Sequence, residues 1–354
     1  MREMTGRERL LRAVRRQVPD KVPVTLAYGH IDDLCRQRGH PEMVGRLRQD
    51  QKVVAFGSRA APRELFAQYL PNCPPEAAIS EWGVASMLSS TGASTGYIHP
   101  LASMTSPGQL AGFPFPDIQE QWRHENLEQQ VADIHDEGVA AVGQMSQTIF
   151  ELAWAMRGMD ALLTDFLLNR GFAAALLDRL TEIRCFQARR FVEAGVDVLR
   201  LGDDIGTERG LLMSPRMWRE WLKPRLERVI QSARSVDSAI PIKYHSDGNV
   251  EAVIPDLIEI GVTILNPVQP ECMDPVKLKQ EYGHDLAFWG TIGVQSTLPF
   301  GSPADVRLAV QYMVETVGSG GGLVLAPTHS IEDDIPWDNI LAFYEAAETY
   351  GIYH

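Results

Sequence analysis

The sequence predicts a (β/α)8 barrel, and three observations carry that prediction. Eight short apolar runs, at 22–28, 52–56, 139–145, 196–201, 241–245, 262–266, 286–290 and 322–326, recur along the chain. Amphipathic helical stretches separate most of them, which is the mark of a parallel sheet covered by helices, and eight such units close a barrel. Polar, titratable residues follow at least five of the runs, where the loops of a barrel mouth belong. A length of 354 residues suits one α/β barrel, so residues 1–354 are expected to form a single domain.

Each element has a local rationale. Residues 5–16 read as an opening helix: Thr5 caps it, Glu8 completes the capping box, and Leu10, Leu11 and Val14 share a face. Helical patterns follow at 125–137, 172–194, 215–233, 250–260, 303–317 and 337–350. Ser214-Pro215 and Ser302-Pro303 each set a capping hydroxyl before a proline at the first helical position. Gly195, Gly261, Gly283 and Gly351 follow helical runs and are expected in left-handed conformations. The stretch 81–100, rich in Ser, Thr and Gly, reads as a hairpin or lid inserted after the second strand.

Composition narrows the function classes. Hydrophobic residues at 45% and charged residues at 22% argue for a folded globular chain over a disordered one. The net charge of −13 comes without a basic stripe, so nucleic acid and anionic membrane surfaces are excluded as partners and a small-molecule substrate is expected. Cys35, Cys73, Cys185 and Cys272 show no paired spacing and read as reduced thiols. The charged residues 1–16 lack the apolar core of a signal peptide, and no apolar run is long enough to span a bilayer, so the expected location is the cytoplasm. A homodimer is compatible with all of this.

The strand ends supply the candidate site. Strand three ends in Ser146-Gln147, strand four in Asp203-Asp204, strand five in His245-Ser246-Asp247, strand six in Asn266, and strand eight in Thr328-His329. Such residues also cap helices and satisfy loop backbone, but together they read as a polar mouth. His245 and Asp247 leave one strand two residues apart and point the same way. With His329 and Cys272 they form a nitrogen, oxygen and sulfur set suited to zinc. The alternative is hydrogen-bonded mouth histidines with Cys272 a small buried hydrophobe. Asp204 is a candidate general base or substrate-orienting acid, or an internal partner of Arg200, with which it shares strand parity.

On these stretches the chain resembles uroporphyrinogen decarboxylase and the related corrinoid-dependent methyltransferases. The likeness runs from Thr5-Gly6-Arg7-Glu8-Arg9 and Pro19-Asp20-Lys21-Val22-Pro23 through Gly202-Asp203-Asp204-Ile205-Gly206. It continues in Tyr244-His245-Ser246-Asp247-Gly248, in the stretch from Asn266 to Pro275, in Trp289-Gly290 and in Leu325-Ala326-Pro327-Thr328-His329. The decarboxylases of the family carry an arginine-rich segment where this chain reads Thr25-Leu26-Ala27-Tyr28-Gly29-His30, without arginine. A substrate with many carboxylates needs cations around it, so loss of uroporphyrinogen decarboxylation is expected. The family's acid that meets the pyrrole nitrogens corresponds to Glu81, its active-site tyrosine to Trp154, and its active-site serine to Asp204.

The methyltransferases bind zinc through a His-x-Cys pair and a later Cys. The resemblance implies His245 as the first ligand, with Asp247 and His329 standing where the thiolates would be. A harder, oxygen- and nitrogen-rich zinc suits an oxygen-linked methyl donor better than a thiol substrate. The resemblance therefore implies a zinc methyltransferase, in which a corrinoid (cobalamin) on a separate partner protein exchanges the methyl group. Asp204, His329 and Glu81 are its candidate catalytic residues; Gln147, Trp154, Asn266 and Tyr244 its substrate contacts; His245, Cys272, His329 and Asp247 its metal ligands. A decarboxylase or other carbon–carbon lyase acting on a carboxylated substrate is the alternative, and a binding relative without chemistry is the third reading.

Overall fold

A computed structural model describes residues 3–88 and 94–353. Its central sheet holds seven parallel strands whose spatial order follows chain order: Gln51–Val54, Ala140–Ser146, Val198–Gly202, Ile242–His245, Ile264–Asn266, Ala287–Trp289 and Leu323–Val324. Residues 22–26 close the ring between the last and the first of these. Thr25 N donates to the Leu325 carbonyl and Leu325 N to the Pro23 carbonyl, both at 2.9 Å, while Asp50 N donates to the Val24 carbonyl at 2.9 Å. The buried Asp50 carboxylate fastens the same seam, accepting from Val24 N at 2.8 Å and from Arg9 Nη1 at 3.1 Å. Closure leaves the barrel without exposed strand edges.

The barrel interior is apolar below and polar above. Val142, Val198, Ile264, Ala287 and Val324 form a lower layer, and the helix Gly6–Val14 covers it with Leu10, Ala13 and Val14. That helix starts as its sequence predicts, with Thr5 accepting from Glu8 N in a complete capping box. Further along the strands the inward positions change to Arg200, Lys243, His245 and Asn266, all buried. Alternation sends Leu199, Leu201 and Tyr244 outward against the helices. The apolar plug thus leaves chemistry to one end.

Several expectations need correction. The helical pattern at 215–233 is two helices, Pro215–Trp221 and Lys223–Arg234, because Pro224 lacks the N–H that an unbroken helix requires. Gly283 and Gly351 are right-handed; a Cβ there would lie 2.3 and 2.2 Å from the Lys279 and Ala347 carbonyl oxygens, so close packing explains the glycines instead. The insertion after the first full strand is a three-stranded antiparallel sheet, Ala78–Ile79, Ala85–Leu88 and Ser94–Ile98, which starts before residue 81. Residues 89–93 of the expected lid lie outside the described residues. Among the described residues no helix is long and apolar enough to cross a membrane.

Candidate active site at the barrel mouth

His245, the last residue of its strand, is the centre of the site. Asn266 donates through Nδ2 to the Trp289 carbonyl at 2.7 Å, which turns its Oδ1 toward His245 Nδ1 at 2.9 Å. An amide oxygen only accepts, so Nδ1 carries the ring proton and Nε2 keeps its lone pair. That lone pair faces the mouth, where the Tyr28 hydroxyl donates to it at 3.1 Å. Burial and the neighbouring Arg200 push the imidazole pKa well below its usual value, so the ring is neutral and able to ligate. Gly202 makes room for it: a Cβ there would lie 2.6 Å from His245 Cβ.

Two carboxylates complete a compact group. Asp204 Oδ1 accepts from Asp247 N at 2.8 Å and stands 3.8 Å from His245 Nε2; Asp247 Oδ1 stands 3.9 Å from the same nitrogen. One ligand atom from each of Asp204, His245 and Asp247 falls within 4.8 Å of the others. Among the described residues, nothing donates a hydrogen bond to the buried Asp247 Oδ1. Burial, then the nearby Asp204, push the Asp247 carboxyl up to about 7. A buried carboxylate oxygen lacking a donor, beside a second carboxylate and an imidazole lone pair, is what a divalent cation satisfies; the donor set fits zinc.

The remaining predicted residues divide sharply. His329 stands at the rim, its Nε2 3.7 Å from Asp247 Oδ2 and its ring centre 5.2 Å from that of Tyr28. Cys272 is outside the compact group, its thiol 3.8 Å from Gln269 Oε1. Gln147 lines the mouth cavity in a left-handed conformation, φ 53°. That costly backbone is held by Arg184, which donates to the carbonyls of Gln147 and Thr148, each at 2.9 Å. Tyr244 is fully buried on the outer face, its hydroxyl 3.4 Å from the Asp203 carbonyl, and Trp154 packs edge-on against Tyr97. Glu81 is held by Arg123 at 2.6 Å and lines a different cleft, so the structure gives it a part in fastening the inserted segment. No ion pair joins Arg200 and Asp204 among the described residues; Asp204 faces the mouth, while Asp203 is buried toward the helix layer, accepting from Ile149 N and Glu151 N.

The cavity holds about 260 Å³ and brings together His245, Asp204, Gln147, Ser146 and His329 with Arg200, read from the sequence only as a partner for Asp204, and with two residues not chosen from the sequence, Tyr28 and Glu151. Burial and the adjacent Asp204 and Asp203 push Glu151 up to about 9. Tyr28 was visible at the end of the first run. Glu151 sits on the helix Phe150–Arg157, where nothing in the apolar pattern marks it.

Comparison with known proteins agrees with this architecture. The chain is 30% identical over 174 residues to a methylcobamide:CoM methyltransferase of Methanosarcina barkeri, and 26% identical over 170 residues to a uroporphyrinogen decarboxylase of Thermus thermophilus. These matches cover 49% and 47% of this chain, and it spans about half the length of the two relatives, 48% and 45%. A methyltransferase structure from Methanosarcina mazei superposes with a TM-score of 0.67 at 21% identity, over 98% of this chain and 99% of that one, which shows a shared fold. The family model for uroporphyrinogen decarboxylase (URO-D) matches residues 128–350, well over half the chain and five of the strands whose ends form the mouth, so the chain belongs to the uroporphyrinogen decarboxylase family.

Proposed function

We propose that this protein is a zinc-dependent methyltransferase that moves a methyl group between a small, oxygen-methylated substrate and a corrinoid carried by a partner protein. The observation that carries the reading is the group of His245, Asp204 and Asp247, with its oriented imidazole lone pair and its donorless buried carboxylate oxygen. Those three residues would hold the metal, and His329 is near enough to Asp247 to join them. Bound zinc supplies Lewis acidity toward the oxygen of the methyl donor. Asn266 fixes the His245 ring. A single lone pair serves one partner, so a ligating His245 frees the Tyr28 hydroxyl to donate its proton to the departing oxygen. Gln147 and Ser146 border the substrate, and Glu151, protonated near neutrality, offers a second O–H donor.

The carboxy-lyase reading is weaker. The segment 25–30, where a carboxylate-rich substrate would need arginines, has none, and Tyr28 and His30 from it line the cavities at the mouth. The test is metal content: we expect about one zinc per chain, lost on His245→Ala, and negligible conversion of uroporphyrinogen under reducing, anaerobic conditions. Far below stoichiometric metal after zinc loading and desalting would remove the basis of the methyltransferase reading.

A further inference from the structure

One step deeper in the barrel than His245, two cations are buried with no anion beside them. Arg200 and Lys243 are cross-strand partners and are only 4% and 3% exposed. Among the described residues no carboxylate oxygen comes within 4.0 Å of either. The Lys243 ammonium sits 3.6 Å from the centre of the Trp289 ring, and the Arg200 guanidinium 4.5 Å from that of Tyr28. The Arg200 Nη1 reaches the Ala27 carbonyl at a long 3.4 Å, and its Nε is buried with no hydrogen-bond partner. Arg200 also lines the mouth cavity. A guanidinium is always charged, and aromatic faces only partly offset its removal from water. A buried guanidinium without a carboxylate partner, on a residue that lines a cavity, is a place made for an anion.

We propose that the cavity takes substrates bearing a carboxylate, bound by Arg200 at the cavity floor with the reacting end toward His245, Asp204 and Asp247. The identity of that reacting end rests on the methyl-transfer reading; the carboxylate site does not. A planar carboxylate matches the two parallel N–H bonds that a guanidinium presents. A phosphate dianion matches less well, because Asp204, Asp247 and Glu151 crowd the same mouth. A cavity of about 260 Å³ accommodates a substituted benzoate.

Calorimetric titration of the full chain, with and without zinc, tests this with 4-methoxybenzoate, its neutral amide and inorganic phosphate. The acid is expected to bind at least tenfold more tightly than the amide in both metal states. Arg200→Gln should erase that preference while leaving amide affinity and zinc content unchanged, and phosphate should not displace the acid. No binding of the acid, equal affinity for acid and amide, an undiminished preference in Arg200→Gln, or equal competition by phosphate would each overturn the proposal. If Arg200→Gln does not fold, Arg200→Lys keeps the charge without the fork and should weaken acid binding while preserving its sign; unchanged acid affinity there would also overturn it. Acid preference in a protein that takes up no zinc would sink the methyl-transfer reading and leave this site standing. Zinc uptake without acid preference would do the reverse.

Discussion

At the scale of single residues, the mouth is organised around one imidazole whose tautomer is set from behind. Removing His245 deletes the one nitrogen ligand of the compact group, so His245→Ala is expected to cost zinc affinity at least a hundredfold. Asn266→Ala keeps the ligand but loses its orientation, and outer contacts of this kind are worth about 10–100-fold in metal affinity. His329 is different: its side chain is 41% exposed, and it approaches the group only through Asp247. His329→Ala should therefore weaken zinc binding by about tenfold or less while depressing turnover far more. Equilibrium dialysis against a zinc indicator separates the outcomes, and a loss equal to that of His245→Ala would make His329 a full ligand. His245, Asp247, Asp204, Gln147 and His329 were legible because a closed barrel forces strand ends into one mouth. The outward placement of Tyr244, whose neighbour on the strand faces in, was not legible, nor was the contact of Glu81 with Arg123, 42 positions away.

At the scale of elements, the N-terminal helix does for the bottom of the barrel what loops do for the top. Leu10 is inaccessible within the lower apolar layer, so Leu10→Ala leaves a cavity and is expected to cost about 2–5 kcal/mol. Thr5→Ala removes a cap and should cost about 1 kcal/mol. Both changes lie at the opposite end from the cavity, so denaturant unfolding should shift while zinc uptake stays the same. An equal loss of zinc affinity would show that plug and mouth are coupled. The seven strands of the sheet and the caps at Thr5, Ser214 and Ser302 were legible because they depend on neighbours within four residues, whereas the run at 22–28 joins the ring through isolated bridges. The hairpin Gly206–Thr207 and Gly210–Leu211 was not, since two-residue strands carry no period. The three-stranded insertion was legible only as an interruption, because its pairing depends on residues far apart in the chain.

At the scale of the whole molecule, concentrating acids in a closed mouth makes stability depend on pH in an unusual direction. Unfolded, Asp203, Asp247 and Glu151 titrate near their ordinary values of about 4. Folded, burial raises Asp203 to about 6, burial and Asp204 raise Asp247 to about 7, and burial with Asp204 and Asp203 raises Glu151 to about 9. Above pH 4 the folded chain keeps protons that the unfolded chain has already released, so stability falls as pH rises through this window. The Asp203 contribution is complete by about pH 6, that of Asp247 by about 7, and that of Glu151 by about 9. These acids should thus withdraw a few kcal/mol between pH 5.5 and 8.5, a range above the isoelectric point of about 5.2, against an opposite contribution from His245 and Lys243, whose burial depresses their pKa values. Zinc reverses the trend, because its ligands must be deprotonated and bound metal replaces the proton at Asp247. Melting curves over this range, with chelator and with excess zinc, should therefore diverge most at the alkaline end. Glu151→Gln should flatten the alkaline part of the metal-free curve, and an unchanged slope would mean that these acids are not buried together in solution. A zinc effect that is the same at every pH would remove Asp247 from the metal.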